Sequence, residues 1–281
     1  MSKEIISINQ AIKDSVNQAE SNPDKGLEKI LELRKNVEII DPNDNLSKAA
    51  SLLNNDFIGI FTTNHGSPAD TIAVYVALNE IQSKVDPEHF KGIRFIYAKS
   101  IDTGHQGKLV QRFFGGFKEI LKKQKIFPLS VVRKKDQDEY GLTPDIDSLK
   151  EILDIPNTGL SVFLYPEGTL EGGRKNENGK LKGLQLAQEA KSINKVCKKC
   201  AKQGKKFFAL PMAIRWTNLV LDPDIKDPTP ESINYDQKFQ IIIGNILYKK
   251  DLIDQKEEPV DIIMRRGIAT LLPRELRGVY R

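Results

Sequence analysis

From Phe57 onward the chain alternates short apolar runs with longer stretches of helical period, and this alternation constrains the fold most. Strand-like runs fall at 57–62, 93–98, 127–132, 160–165, 207–214 and 238–246. Each has strand length and is rich in β-branched or aromatic residues. Helical period fills 70–84, 107–124, 145–154, 181–203 and 258–272. Such alternation predicts an α/β layered domain with a central, largely parallel mixed sheet flanked by helices. In sheets of this kind ligand sites gather where the chain leaves the carboxyl ends of the strands. Residues 222–236, with Pro223, Pro228 and Pro230, read as a loop.

Ahead of this pattern, Ile5, Ile8, Ile12, Val16 and Ala19 share one helical stripe, which Ser21-Asn22-Pro23 interrupts. Leu27, Ile30, Leu31 and Leu33 mark a second short helix that ends by Asp41-Pro42-Asn43. The expected organisation is a short helical N-terminal segment, 1–50, packed on an α/β domain, 51–281. At 39% hydrophobic and 29% charged, 281 residues hold enough apolar material for one substantial core. No apolar run approaches the roughly 18 residues of a spanning helix. Met1–Gln10 lacks the basic-then-apolar order of a signal peptide. The expectation is a cytoplasmic protein whose lipid contacts, if any, are peripheral at the inner face of a membrane.

The formal net charge of +5 suits a phosphate-bearing partner, an acidic carrier or an anionic membrane, and ordinary surface lysines explain it equally well. No nucleic-acid reading module accompanies the lysine runs at Lys198-Lys199 and Lys205-Lys206, so no nucleic acid is expected. Cys197 and Cys200 form one pair without a second half-site, and a four-ligand zinc site needs both, so no metal is expected. The pair reads as structural thiols in a reducing compartment.

The run 57–61 leads into Thr62-Thr63-Asn64-His65-Gly66-Ser67-Pro68-Ala69-Asp70. Pro68 suits a first helical turn and Asp70 the positive end of a helix. His65 then sits on a strand-to-helix bend, with Asp70 about one turn later. A carboxylate so placed reaches one imidazole nitrogen, fixes the tautomer and favours the imidazolium formed on proton abstraction. Asn64 and Ser67 are placed to brace the turn. Alone, a loop histidine and a helix-capping aspartate explain the same spacing. His89 and His105 lack such a carboxylate and read as structural or surface residues.

A second apolar strand ends in Pro166-Glu167-Gly168-Thr169, followed by Leu170-Glu171-Gly172-Gly173-Arg174-Lys175. Gly and Pro at a strand end expose backbone N–H groups to an anion, and Arg174, Lys175, Lys180 and Lys182 add charge. Arg133 closes another strand, where it can clamp a phosphate in bidentate fashion. Pro211, inside the apolar run 207–214, points to an edge strand or a bulge near a site.

Taken in this order, the pieces resemble the glycerolipid acyltransferase family, which includes glycerol-3-phosphate and lysophosphatidate acyltransferases. Residues 64–70 match its Asn-His-x-Ser-x-x-Asp motif at every fixed position. Arg133 matches the strand-ending Arg of its second block, and Tyr165–Thr169 its Phe-Pro-Glu-Gly-Thr with Tyr for Phe. Pro211 matches its fourth block, and Lys182-Gly183 and the tail Ile268 to Tyr280 are also similar. The family's Arg after Pro-Glu-Gly-Thr is Leu170 here, which puts the acceptor in doubt more than the chemistry.

The resemblance implies an O-acyltransferase of phospholipid biosynthesis without a cofactor. The donor would be acyl-CoA or acyl carrier protein, and the acceptor the hydroxyl of a lysophosphatidate-type lipid or of glycerol 3-phosphate. His65 and Asp70 would be catalytic. Asn64, Ser67, Arg133, Glu167, Gly168, Thr169, Arg174 and Lys175 would bind substrate. Two alternatives are a thioesterase, in which the same pair activates water, and a non-catalytic lipid-binding protein on the same fold. The mix of aromatics and cations at Gln111–Lys118 suits an interfacial helix, and equally a helix buried on its aromatic side.

Overall fold

The computed structural model describes residues 36–67, 70–106, 111, 118, 121–187, 190–215, 238–253 and 256–281. The expected N-terminal helices, Pro68, most of the 107–124 helix with its aromatic stretch, and the loop 222–236 lie outside these residues. In chain order the elements are β1 (Val37–Ile40), α1 (Asn45–Asn54), β2 (Ile58–Thr62), α2 (Asp70–Gln82), β3 (Ile93–Ala98), α3 (Lys99–Asp102) and β4 (Ile126–Val131). Next come α4 (Lys134–Tyr140), α5 (Ile146–Thr158), β5 (Ser161–Leu164), α6 (Lys191–Lys202), β6 (Phe207–Arg215), β7 (Phe239–Ile243) and β8 (Leu247–Tyr248). The chain closes with α7 (Lys249–Leu252), α8 (Pro259–Ile262), a π turn (Ile263–Ile268), a last helical turn and two 3₁₀ turns ending at Tyr280.

The eight strands of the described residues form one mixed sheet in the order β1-β7-β6-β2-β5-β3-β4, with β8 also on β6. β6, β2, β5, β3 and β4 run parallel. β7 and β8 are antiparallel to β6, and β1 is parallel to β7. This is the expected α/β architecture. On one face α1 and α2 cover the sheet through Leu46, Ala49, Leu53, Ile72, Tyr75 and Leu78. α2 is buried nearly all round, which its almost continuous apolar sequence requires. On the other face α5, α6 and the C-terminal helices bury Ile152, Ile155, Ile193, Val196, Ile262 and Met264.

Three expectations are revised. The boundary at residue 50 falls inside α1, and Val37–Ile40 is an edge strand on β7, so the sheet domain starts earlier than expected. Leu46, Ala49 and Ala50 bury into the same core as α2, and Asp41 accepts the first N–H groups of α1 at 2.8 Å. The helix expected over 181–203 begins only at Lys191, because Leu181 bridges back to Lys175 and 182–187 carries no regular structure. Pro211 lies in an inner strand, paired with Thr62 of β2. On its other side β8 pairs only as far as Ala209 and β7 begins at Met212, so the missing N–H falls where β6 changes partners.

Candidate active site

β2 and β5 are neighbours, with Phe61 opposite Phe163 and Thr62 opposite Leu164. After β2 the chain passes to α2 on one face of the sheet, and after β5 to α6 on the other. Adjacent strands whose helices diverge in this way leave a crevice beyond their carboxyl ends. The two motif loops meet there, with the rings of His65 and Tyr165 stacked 3.8 Å apart at an interplanar angle of 13°.

Asp70, the first residue of α2, is fully buried, and its Oδ2 organises the whole bend. It accepts the N–H of Gly66 at 2.8 Å and of Ser67 at 2.9 Å, and lies 3.3 Å from His65 Nδ1. An Nδ1–H donated to this carboxylate leaves Nε2 as the lone-pair nitrogen. The imidazole is 17% exposed, so the base is neither sealed nor fully solvated. Asn64 is buried and holds the bend to β6, donating to the Ile214 carbonyl at 2.9 Å and accepting the Ile214 N–H at 2.7 Å. Asn64 and Ser67 are thus parts of the frame around His65.

The turn after β5 presses against the same bend. Gly168 closes it with its N–H on the Tyr165 carbonyl at 3.1 Å, at a φ of 62° that favours glycine. Glu167 points inward and is 3% exposed. Its oxygens accept the N–H of His65 at 3.1 Å and of Gln185 at 2.6 Å. Burial pushes its carboxyl up to about 8 against the pull of these two donors. Thr169 Oγ1 accepts the N–H of Glu171 at 3.2 Å. Gly173 backs onto Gly66 so closely that a Cβ there would lie 1.9 Å from the Gly66 carbonyl oxygen.

The expected phosphate clamp is largely engaged with the protein itself. Arg133 donates through Nε and Nη2 to both oxygens of buried Asp136, at 3.1 and 2.7 Å, and through Nη1 to the Gly168 carbonyl. Burial raises the Asp136 carboxyl, but Arg133 outweighs it and holds the group below its usual range. Arg133 therefore braces the Pro-Glu-Gly-Thr turn. Arg174 pairs with Glu171, which also takes Lys182 at 2.6 Å. Lys175 is exposed at the start of a small hairpin.

The sequence marks Tyr165 only as part of a motif and assigns it no role, and it marks neither Gln185 nor Lys99. The Tyr165 hydroxyl lies 3.3 Å from Thr71 Oγ1, and burial, aided by Asp70, keeps the phenol protonated. Its position directly after an apolar strand was the available signal. Lys99, at the carboxyl end of β3, lies 3.4 Å from Ser130 Oγ and 3.7 Å from Asp102. His105 stacks on Tyr140, apart from this bend. Cys197 and Cys200 are buried thiols, and burial pushes Cys200 up to about 11 and Cys197 further.

Among the described residues no group of three His, Cys, Asp or Glu side chains could hold a metal ion, and no helix is long and apolar enough to cross a membrane. Compared with known proteins, the chain matches no family model, no curated protein and no solved structure.

Proposed function

We propose that the chain is an O-acyltransferase that moves an acyl group from a thioester, acyl-CoA or acyl carrier protein, to the hydroxyl of a lysophosphatidate-type or glycerol phosphate acceptor. One observation carries the reading. His65 Nδ1 lies on buried Asp70 at the switch point of the sheet, facing the Pro-Glu-Gly-Thr turn. Nε2 would take the hydroxyl proton as the oxygen attacks the thioester carbonyl, and return it to the departing thiolate. Asp70 would hold the tautomer and offset the imidazolium charge. No covalent acyl-enzyme is required. Glu167 would hold the His65 backbone in place. The acceptor phosphate would meet cations at the rim, Lys99 and Lys175, more readily than Arg133.

The internal pairing of Arg133 and Arg174 favours one rival, a thioesterase in which water replaces the acceptor. Thioester consumption measured with glycerol 3-phosphate, lysophosphatidate, a non-phosphorylated alcohol or no acceptor separates the two. Acyl transfer requires consumption to rise several-fold with an acceptor and an acylated product to accumulate. Equal rates with and without acceptor would identify hydrolysis, and no consumption under any condition would remove both readings.

A further inference from the structure

Residues 191–206 carry seven lysines and no Asp or Glu, while the whole chain is only +5, so the remainder of the protein has a net charge of −2. The positive charge is thus concentrated on α6 and the turn after it. Along α6, Lys191, Lys195, Lys198 and Lys202 are exposed and fall on one stripe about 16 Å long at 1.5 Å rise per residue. The opposite stripe, Ile193, Val196, Cys197 and Cys200, is buried in the core.

This arrangement works against helix stability. Like charges three or four residues apart repel, and Lys191 opens the helix at its positive end with no acidic residue in the first turn. Of the four, only Lys198 has a carboxylate partner among the described residues, Glu258 at 2.8 Å. α7 and α8 pack against α6, and Lys249, Lys250, Lys256, Arg265 and Arg266 are exposed around them, but residues 249–266 carry as many acids as bases, so the excess positive charge stays on α6. Of the acids there, Glu257 pairs with Arg265 and Asp251 accepts the Tyr248 N–H.

We infer that the α6 face is a docking surface for an anionic lipid bilayer. Lys191, Lys195, Lys198 and Lys202 share one exposed helix face, which a plane of phosphates can meet at once. It is mostly lysine, a point charge without the bidentate fork that arginine offers a defined carboxylate pair. Two exposed apolar side chains lie near these elements in sequence. Leu186 lies just ahead of α6 and Tyr248 just ahead of α7, and such residues settle at the lipid interface. Polybasic surfaces hold anionic leaflets through many weak, salt-sensitive attractions. Preferring lipid to an acidic protein as occupant rests on the acyl-transfer reading, whose acceptor and product include lipids.

The test is flotation of the full chain with phosphatidylcholine vesicles, with and without phosphatidylglycerol, in low and high salt and without substrate. The protein should float with anionic vesicles at low salt, stay behind with neutral ones, and be released by salt. The triple variant Lys191→Gln, Lys195→Gln, Lys202→Gln should lose on the order of 100-fold in partitioning, from the typical gain per lysine near an anionic surface. Its thermal midpoint should be unchanged or higher. A control triple, Lys48→Gln, Lys84→Gln, Lys91→Gln, removes the same charge away from the α6 face and should partition like the parent. Equal losses in both triples, equal flotation with neutral vesicles, or no flotation would overturn the inference. Binding to soluble polyglutamate but not to vesicles would also overturn it, in favour of an acidic protein partner. Vesicle binding is read without turnover, so either conclusion can fail while the other stands.

Discussion

One side-chain oxygen of Glu167 accepts the backbone N–H of His65 at 3.1 Å, while the other accepts the Gln185 N–H at 2.6 Å. A carboxyl pushed by burial from the ordinary 4.5 to about 8 holds a proton in the native state that the unfolded chain releases. Native protein then binds more protons than unfolded protein between these values. This contribution is full below pH 4.5 and is lost as pH rises toward about 8. Glu167→Gln should flatten that part of the pH dependence of thermal unfolding. The comparison is the difference in slope between variant and parent, since the amide also leaves one N–H unmatched. The variant's kcat should fall because the His65 backbone loses an anchor. Parallel pH profiles for the two proteins would show that Glu167 titrates as an ordinary carboxyl.

His65 and Asp70 separate chemistry from architecture. His65→Ala removes a partly exposed ring without touching the hydrogen bonds that shape the bend, which run through Asp70 and Asn64. Its thermal midpoint should stay near the parent value while kcat drops about 10³-fold, within the usual span for a general base. Asp70→Ala should differ, since Oδ2 also takes two backbone N–H groups. That variant should lose both activity and stability. Near-parent turnover by His65→Ala would remove the base from the mechanism.

Arg133 gives a prediction that the sequence alone had in another form. A strand-ending Arg suggests a substrate clamp, so its loss should chiefly raise KM. In the structure the guanidinium neutralises Asp136, a fully buried carboxylate. Arg133→Ala leaves that charge unpaired and should cost about 3–5 kcal/mol of unfolding free energy. Arg133→Met with Asp136→Leu should recover most of the loss in a denaturant titration. A single variant of parent stability with a raised KM would return Arg133 to the acceptor.

The α/β architecture was legible because parallel strands buried on both faces write continuous apolar runs. All six strand segments found this way are strands, though the last stops at Ile243, and β8 at Leu247–Tyr248 lies beyond its expected end. β1 carries little signal in sequence because it is four residues long and buries only Val37 fully. α4 was hidden by its charges, since it buries only Asp136. The pair His65 and Asp70 was legible because the two are close in sequence, so local geometry nearly fixes their contact. The partners of Arg133 and Arg174 were not, because pairing depends on which carboxylates the fold brings near, and a cation in sequence looks free until then. In sequence Gly172 and Gly173 offer an anion close approach to the backbone. They are instead where two loops touch.

Gly173 therefore tests whether the turn after β5 positions the base. A methyl group there would sit 1.9 Å from the Gly66 carbonyl oxygen, and the obstacle is backbone, with no flexible side chain to swing away. Gly66 follows His65 directly and donates its N–H to Asp70, so pushing the loops apart moves the imidazole relative to its carboxylate. Gly173→Ala should cost about 1–3 kcal/mol through overpacking. Its kcat should fall on the order of 100-fold, the scale of a displacement of about 1 Å at a reacting group. Gly179→Ala is the matched comparison. Gly179 has a φ of +71° but nothing within 4 Å of an added Cβ, so that variant carries backbone strain without intrusion. It should lose some stability and keep its turnover. If both variants lose stability alike and both keep kcat, contact between the two loops does not set the geometry of His65.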